Sequence, residues 1–257
     1  MTSPAHPPRT ALVTGASQGI GRAVSQALLA AGWQVALAGR DAARLQAVVD
    51  ALPEPALAAR AWPCVCDVTD ADAVERTFTA LQARWGRLDL LFNNAGLFVP
   101  PAPIEAFPLA DWRASVDTNL TGMFLCLQQA FRLMKTQSPR GGRILNNGSI
   151  SAQVPRPHAV AYAATKHAIT GLTRAAALEG RADDIAVGQI DIGNVETEMT
   201  ARMATGVRQA DGSLRAEPVM PMDRVVAMVM AQVGLPLDVN VISTTLLATG
   251  MPFSGRG

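Results

Sequence analysis

The chain contains a single tyrosine, and it stands four residues before a lysine in Tyr162-Ala163-Ala164-Thr165-Lys166. On a helix that spacing puts the phenol and the ammonium on one face, a turn apart. A neighbouring cation favours phenolate, and so turns a group with an ordinary pKa of about 10 into a proton carrier usable near neutral pH. A chance pair on a solvated helix face has the same spacing, so other groups must decide. Ser149 follows a β-type run at Arg143 to Asn147, Asn119 lies in the helical stretch before it, and Asn93-Asn94-Ala95-Gly96 follows a run at Leu88 to Phe92. At the carboxyl ends of parallel strands such residues reach one crevice from distant segments.

A second constellation lies near the N-terminus. The run Thr10 to Thr14 leads into Thr14-Gly15-Ala16-Ser17-Gln18-Gly19-Ile20-Gly21. Its three glycines allow a tight turn, close approach of backbone to a pyrophosphate, and tight packing of helix on strand. Amides at the start of the following helix would face the phosphate charge. The order is not GxGxxG, and glycines in a turn are often turn chemistry alone; the place at the start of a βαβ unit favours the dinucleotide reading. After the second strand such folds usually hold the adenosine ribose with a carboxylate, whereas this chain has Ala38-Gly39-Arg40. A cation there suits a 2′-phosphate and points to NADP(H) over NAD(H). Gln18, where a second basic residue would help, weighs the other way. Asp67, after the third strand, can accept from adenine or serve as an ordinary turn acid.

Positioning these groups requires alternating strands and helices, and the pattern supplies them from Thr10 to about Ile192. Strands are expected at Thr10 to Thr14, Trp33 to Ala38, Ala61 to Cys66, Leu88 to Phe92, Arg143 to Asn147, Ile185 to Asp191 and near Val239 to Ser243. Helices are expected at Gly19 to Ala31, Ala42 to Ala51, from the cap Asp70 to Trp85, Asp111 to Met134 with a bend around Asn119 to Gly122, Ala161 to Glu179, and Asp223 to Val233. This is the pattern of a doubly wound α/β domain. Residues 10–257 read as one domain behind a flexible tail at 1–9. Residues 197–222 lack a clear period and read as a lid over the site or a surface excursion.

With 22 Lys+Arg against 21 Asp+Glu the formal net charge is +1, so no nucleic-acid partner is expected. Hydrophobic residues reach 49% and charged residues 17%, which is enough apolar material for a core and too little charge for a disordered chain. No apolar run approaches the roughly 18 residues of a membrane span, and Met1 to Arg9 lacks the apolar segment of a signal peptide. Cys64, Cys66 and Cys126 have no zinc spacing, and Cys64 and Cys66 on one strand share a face without being bridgeable; reduced thiols in a cytoplasm are expected. His158 and His167 have no third partner at ligand spacing, so no metal is expected.

As a set, TGxxxGxG at Thr14 to Gly21, NNAG at Asn93 to Gly96, Asn119, Ser149 and YxxxK at Tyr162 to Lys166 resemble the motifs of the short-chain dehydrogenase/reductase family, over nearly all of the chain. The resemblance implies a seven-stranded Rossmann sheet, a nicotinamide cofactor, and a homodimer or homotetramer. It implies an oxidoreductase interconverting a carbonyl and a secondary alcohol. Tyr162 would be the proton donor or acceptor, Ser149 would bind the substrate oxygen, Lys166 the nicotinamide ribose, and Asn119 a relay water. The implied cofactor contacts are Gly15, Ser17, Gln18, Gly19, Ile20, Gly21, Arg40, Asp67, Val68, Asn94, Ala95, Gly96, Tyr162, Lys166, Val195 and Thr197.

A lowered Tyr162 pKa in the holoenzyme, with nearby charge as its main cause, is part of the same expectation. Two departures from the family pattern stand out: Ile192 where a proline is common, and Asn147-Gly148-Ser149 in place of an apolar residue and two serines. Leu97, Phe98, Val99, Gln153, Val154, Met199 and Met203 are candidates for a partly apolar pocket. Arg156, His158, Arg202 and Arg208 could meet an anionic group or simply be solvated. A catalytically silent dinucleotide-binding regulatory or scaffold protein of the same fold is the alternative; the four intact catalytic positions disfavour it. A methyltransferase reading is disfavoured by Gly39-Arg40.

Overall fold

In the computed structural model, which describes residues 8–197, 206–209 and 211–253, the strands alternate between two apolar faces as their period of two requires. On one face Ala11, Val13, Val35, Leu37, Leu90 and Phe92 meet Val24, Leu28 and Leu29, together with Val225, Val229 and Val233. On the other, Leu12, Ala36, Ala38 and Leu91 meet Val74, Phe78 and Leu81, together with Cys126, Ala130 and Met134. Each fully buried Val, Leu or Phe contributes about 1.5–3 kcal/mol. A sheet apolar on both faces must carry helices on both, which is why its strands can run parallel.

The main sheet contains β1 (Thr10–Thr14), β2 (Gln34–Gly39), β3 (Ala61–Val65), β4 (Leu90–Asn93), β5 (Gly142–Asn147), β6 (Ile185–Ile192) and β9 (Ser243–Leu246). Its order is β3-β2-β1-β4-β5-β6-β9, with every pairing parallel. The expected seven-stranded doubly wound fold is thus observed. The chain reverses its direction of build between β1 and β4, and there the crevice opens. The helices are α1 (Gly19–Ala30), α2 (Ala42–Asp50), α3 (Pro55–Ala58), α4 (Ala71–Trp85), α5 (Leu109–Val116), α6 (Gly122–Thr136), α7 (Val160–Glu179) and α8 (Met222–Val233).

Several boundaries differ from the sequence reading. The stretch Asp111 to Met134 is two helices, α5 and α6, joined by a π-turn at Asp117–Thr121 that contains Asn119. The last strand is Ser243–Leu246, not Val239 to Ser243. Buried Arg143 explains the shift: its guanidinium donates to the carbonyls of Leu235, Pro236 and Val239 at 3.3, 3.0 and 2.9 Å, holding that stretch as a loop. Arg9 is anchored: its carbonyl accepts from Gln34 N and its guanidinium lies 4.2 Å from the Trp33 ring centre. The short helix α3 and a hairpin of β7 (Val207–Arg208) with β8 (Leu214–Arg215) were not anticipated. No described helix is long and apolar enough to cross a membrane, and no group of metal-ligating side chains occurs among the described residues.

Candidate active site

At the switch point β1 runs into α1 through a turn that admits almost no side chain. Gly15 has φ +64, and a Cβ on Gly21 would lie 2.3 Å from the Gly15 carbonyl oxygen. Helices α2 and α4 are capped by Asp41 and Asp70, whose carboxylates accept first-turn amides. Helix α1 is different. Its N-cap Gln18 makes no side-chain cap bond and its first turn holds no acid, leaving amides for an anion in front of the helix.

This turn forms one end of a cleft of about 320 Å³, within the range of ligand pockets. Of the implied cofactor contacts, Gly15, Ser17, Gln18, Gly19, Ile20, Arg40, Asp67, Val68, Asn94, Ala95, Gly96, Tyr162, Lys166, Val195 and Thr197 all line it. Gly21 does not; it lies beneath the turn as the point where helix meets strand. Cys66, Thr118 and Asn147 also line the cleft, and spacing alone did not mark them.

The NNAG segment works as a clamp. Thr14 Oγ1 accepts from the amides of Asn94 and Ala95 at 2.8 and 2.9 Å. The Asn94 amide donates to Thr14 O at 2.9 Å, and its Oδ1 accepts from Asn147 Nδ2 at 2.8 Å. The Asn94 side chain therefore ties together the ends of β1, β4 and β5.

At the other end of the cleft α7 presents Tyr162 and Lys166. Lys166 is 4% exposed; its Nζ donates to Asn147 O at 2.8 Å and sits 5.6 Å from the Tyr162 ring centre. Burial pushes its ammonium down to about 8, with the Asp191 carboxylate opposing. Ser149 Oγ accepts from Ser151 N at 3.1 Å, which leaves its own proton free to donate elsewhere. The Phe98 ring meets the Tyr162 ring edge-on, centres 5.2 Å apart.

The Tyr162 phenol is acted on here by the protein's own groups alone, apart from the cofactor charge that the holoenzyme expectation includes. Burial is the largest influence and raises its pKa; hydrogen bonding with Ser149 and the Arg156 guanidinium lower it, and Asp191 raises it. Charge is thus not the dominant cause among the protein's own groups, and their net direction is upward. Asn119 is fully buried. Its Oδ1 accepts from Leu97 N at 2.6 Å, and its Nδ2 donates to Leu97 O at 2.9 Å and Thr165 Oγ1 at 3.4 Å. Its side chain holds the loop after β4 onto α7.

Three groups that the sequence reading did not single out border this end. Asp191, near the end of β6, accepts from the Ser149 amide. Glu217 is ion-paired with Arg156, and both bond to Asn194. Arg156 is therefore neither solvated nor simply available to an anion. The segment past Thr197 is tied at its base, where Val195 bridges Met220, and Met220 N donates to Asn194 O at 2.8 Å. Gln153 does not serve an apolar wall; it donates to Asp191 and Thr245. Ile192, at the position expected to be proline, continues β6 opposite Leu246 inside the core. Met199, Arg202 and Met203 lie outside the described residues. Cys64, Cys66 and Cys126 are buried and unbonded to one another, and burial pushes the Cys64 thiol up to about 12.

A switch-point cleft with an uncapped helix at one end and a phenol, an ammonium and a hydroxyl at the other defines a doubly wound dinucleotide-binding oxidoreductase. The family model described as short chain dehydrogenase matches residues 9–207, and the chain belongs to that family. A 3beta-hydroxysteroid dehydrogenase of Mediterraneibacter gnavus is 34% identical over 212 residues, 82% of this chain and 75% of the relative. The closed form of serine dehydrogenase complexed with NADP+ superposes with a TM-score of 0.83 at 25% identity, covering 96% of this chain and 97% of that one. A 3-ketoacyl-(acyl-carrier-protein) reductase from Brucella melitensis complexed with NADH shares the fold, with a TM-score of 0.81 at 22% identity over 94% and 97% of the two chains. The protein is an NAD(P)-dependent oxidoreductase acting between carbonyl and alcohol.

Proposed function

We propose that the protein interconverts a carbonyl and a secondary alcohol with NADP(H) as its preferred cofactor and Tyr162 as the proton donor or acceptor. The observation that carries this reading is that Tyr162, hydrogen-bonded with Ser149, and Lys166 line one end of a cleft whose other end is the uncapped start of α1. A bound nicotinamide supplies or accepts the hydride at the carbonyl carbon. Everything else falls to the chain. The Gly15 to Ile20 turn would hold the pyrophosphate, Val68, Ala95 and Gly96 the ribose and adenine side, and Val195 and Thr197 the carboxamide. Lys166 would bind the nicotinamide ribose and offset the phenol's unfavourable burial. Ser149 would hold the substrate oxygen with its free proton while Tyr162 delivers or removes the proton on that oxygen. The Asn119 carbonyl, in its π-turn, would hold the water that refills it.

The preference for NADP(H) rests on charge. Gly39 leaves the end of β2 without a carboxylate, and Arg40 lines the cleft beside it. Arg44 on α2 donates to Gln18 Oε1 at 3.1 Å, and would add a second cation near position 18. Asp41 is committed to capping α2 and to Arg44. Residues 197–222 would act as a substrate lid within a single 10–257 domain. Assembly as a homodimer or homotetramer and a cytoplasmic location complete the reading, supported by exposed Trp112 and Phe124 on α5 and α6 and by three free thiols.

The test is a panel of ketones and alcohols followed at the nicotinamide absorbance, with NADPH and NADH side by side, on wild type and Tyr162→Phe. Turnover favouring NADPH that falls about 10³-fold in the variant is expected. Wild-type rates in Tyr162→Phe remove the phenol from its role, and a clear NADH preference overturns the cofactor assignment.

A further inference from the structure

Gly148 lies between Asn147, whose carbonyl accepts from Lys166 Nζ, and Ser149. Space explains the glycine. A Cβ at position 148 would lie 2.0 Å from Asp191 Oδ1 and 2.8 Å from Gln189 Nε2, closer than any real contact. The backbone there is pressed flat onto a carboxylate. Asp191 is 2% exposed. Its Oδ1 accepts from the Ser149 amide at 3.0 Å and from Gln189 Nε2 at 2.6 Å, and its Oδ2 accepts from Gln153 Nε2 at 3.0 Å. Gln189 is itself fixed, its Oε1 accepting from Thr173 Oγ1 at 3.1 Å and its Nε2 donating to Thr170 Oγ1 at 3.1 Å.

A neutral acceptor would satisfy the Ser149 amide equally well, and burying a carboxylate is costly unless it is fully matched. Asp191 is matched by three N–H donors, and none of the ion pairs among the described residues includes it. Its charge therefore acts on what lies in front of it. The charged groups acting on the Tyr162–Lys166 pair are Asp191 behind it on β6 and Arg156, bound to Glu217, from the loop before α7.

We propose that Asp191 is a positioning residue for the reaction: gripping the Ser149 amide over the side-chain-free Gly148, it fixes the Ser149 hydroxyl beside Tyr162, while its negative charge offsets the buried ammonium of Lys166. This rests on the catalytic roles proposed above. Asp191 also holds the phenol protonated to higher pH than it would otherwise be, so it works with burial to keep Tyr162 a proton donor until cofactor and substrate are in place.

Asp191→Asn keeps the size and one acceptor and removes the charge. Because the chain has one tyrosine, the tyrosinate ultraviolet absorbance reports Tyr162 directly, without turnover. Loss of a nearby negative charge makes phenolate easier to form, so the midpoint is expected at lower pH in Asp191→Asn, and the pH profile of kcat should move the same way. In addition kcat should fall about tenfold or more, with KM for the cofactor within about twofold of wild type. Gly148→Ala should lower the melting temperature severely in the wild-type background and clearly less in Asp191→Ala, where the worst clash is gone and the Gln189 side chain is left to yield. An unmoved phenol midpoint with wild-type kcat in Asp191→Asn, or equal damage from Gly148→Ala in both backgrounds, overturns the proposal. If the wild-type protein turns over no substrate, the proposed activity fails, while the phenol titration and the 148/191 coupling in thermal melts still decide the role of Asp191.

Discussion

The two ends of the cleft are built from opposite materials. Around the turn from β1 to α1 the sequence removes side chains: Gly15, Ala16, Gly19 and Gly21 leave backbone amides as the working groups, with no cap to occupy them. Around the ends of β5 and β6 it crowds polar side chains into a buried region: Asn146, Ser149, Lys166, Gln189, Asp191, Asn194 and Glu217 are each at most 5% exposed. Binding a flexible polyanion needs dipoles and room. Steering one proton needs charges held in place by a second layer of hydrogen bonds. The first end is therefore sensitive to added atoms, the second, Gly148 apart, to lost ones.

That contrast can be broken at either end. At the polar end, Lys166→Met should cost about 10²- to 10⁴-fold in kcat yet stabilise the fold. Burial lowers the Lys166 pKa from 10.5 to about 8. The ammonium thus opposes folding below pH 8, and the penalty fades as pH rises from 8 towards 10.5. Thermal melts should show Lys166→Met stabilised on the order of 1–3 kcal/mol at pH 7, with the gain shrinking by pH 10; a gain that grows with pH contradicts the assignment. At the bare end the contrast predicts damage from one methyl group. Gly21→Ala forces a Cβ against the Gly15 carbonyl, and should cost about 1–3 kcal/mol of stability together with a loss of cofactor affinity, read by calorimetry.

A smaller effect tests charge at the same end. Arg40→Ala should reduce the ratio of kcat/KM for NADPH over NADH about tenfold, the worth of one charge-assisted bond, with kcat for the chemical step held. The smallest effect is a null one. Cys64, Cys66 and Cys126 are buried with raised thiol pKa values, so native protein should resist alkylation near neutral pH while urea-unfolded protein reacts at all three. Cys66 sharpens the point because it lines the cleft.

The bare end was readable from sequence because its signals are local: three glycines, a strand before them, a helix after them, and Arg40 at the next strand end. The seven-stranded fold was readable for the same reason, since apolar period and turn residues repeat with each βα unit. The polar end was readable only for residues that carry the family motif. Asp191 and Glu217 act through partners 42 and 61 residues away in sequence, Ser149 and Arg156, and no local pattern encodes such pairings. The misplaced final strand has the same origin, because Arg143 lies some 92 residues before the first carbonyl it holds, that of Leu235. The upward push of burial on the phenol is likewise invisible in a linear pattern.

The excursion after β6 leaves and rejoins the body at one hub, where Val195 meets Met220 and where Arg156, Asn194 and Glu217 interlock. A segment whose two ends meet at one hub can be exchanged like a cassette. Grafting the span between these fasteners from a relative with another substrate should redirect what the enzyme accepts without rebuilding its hydride chemistry.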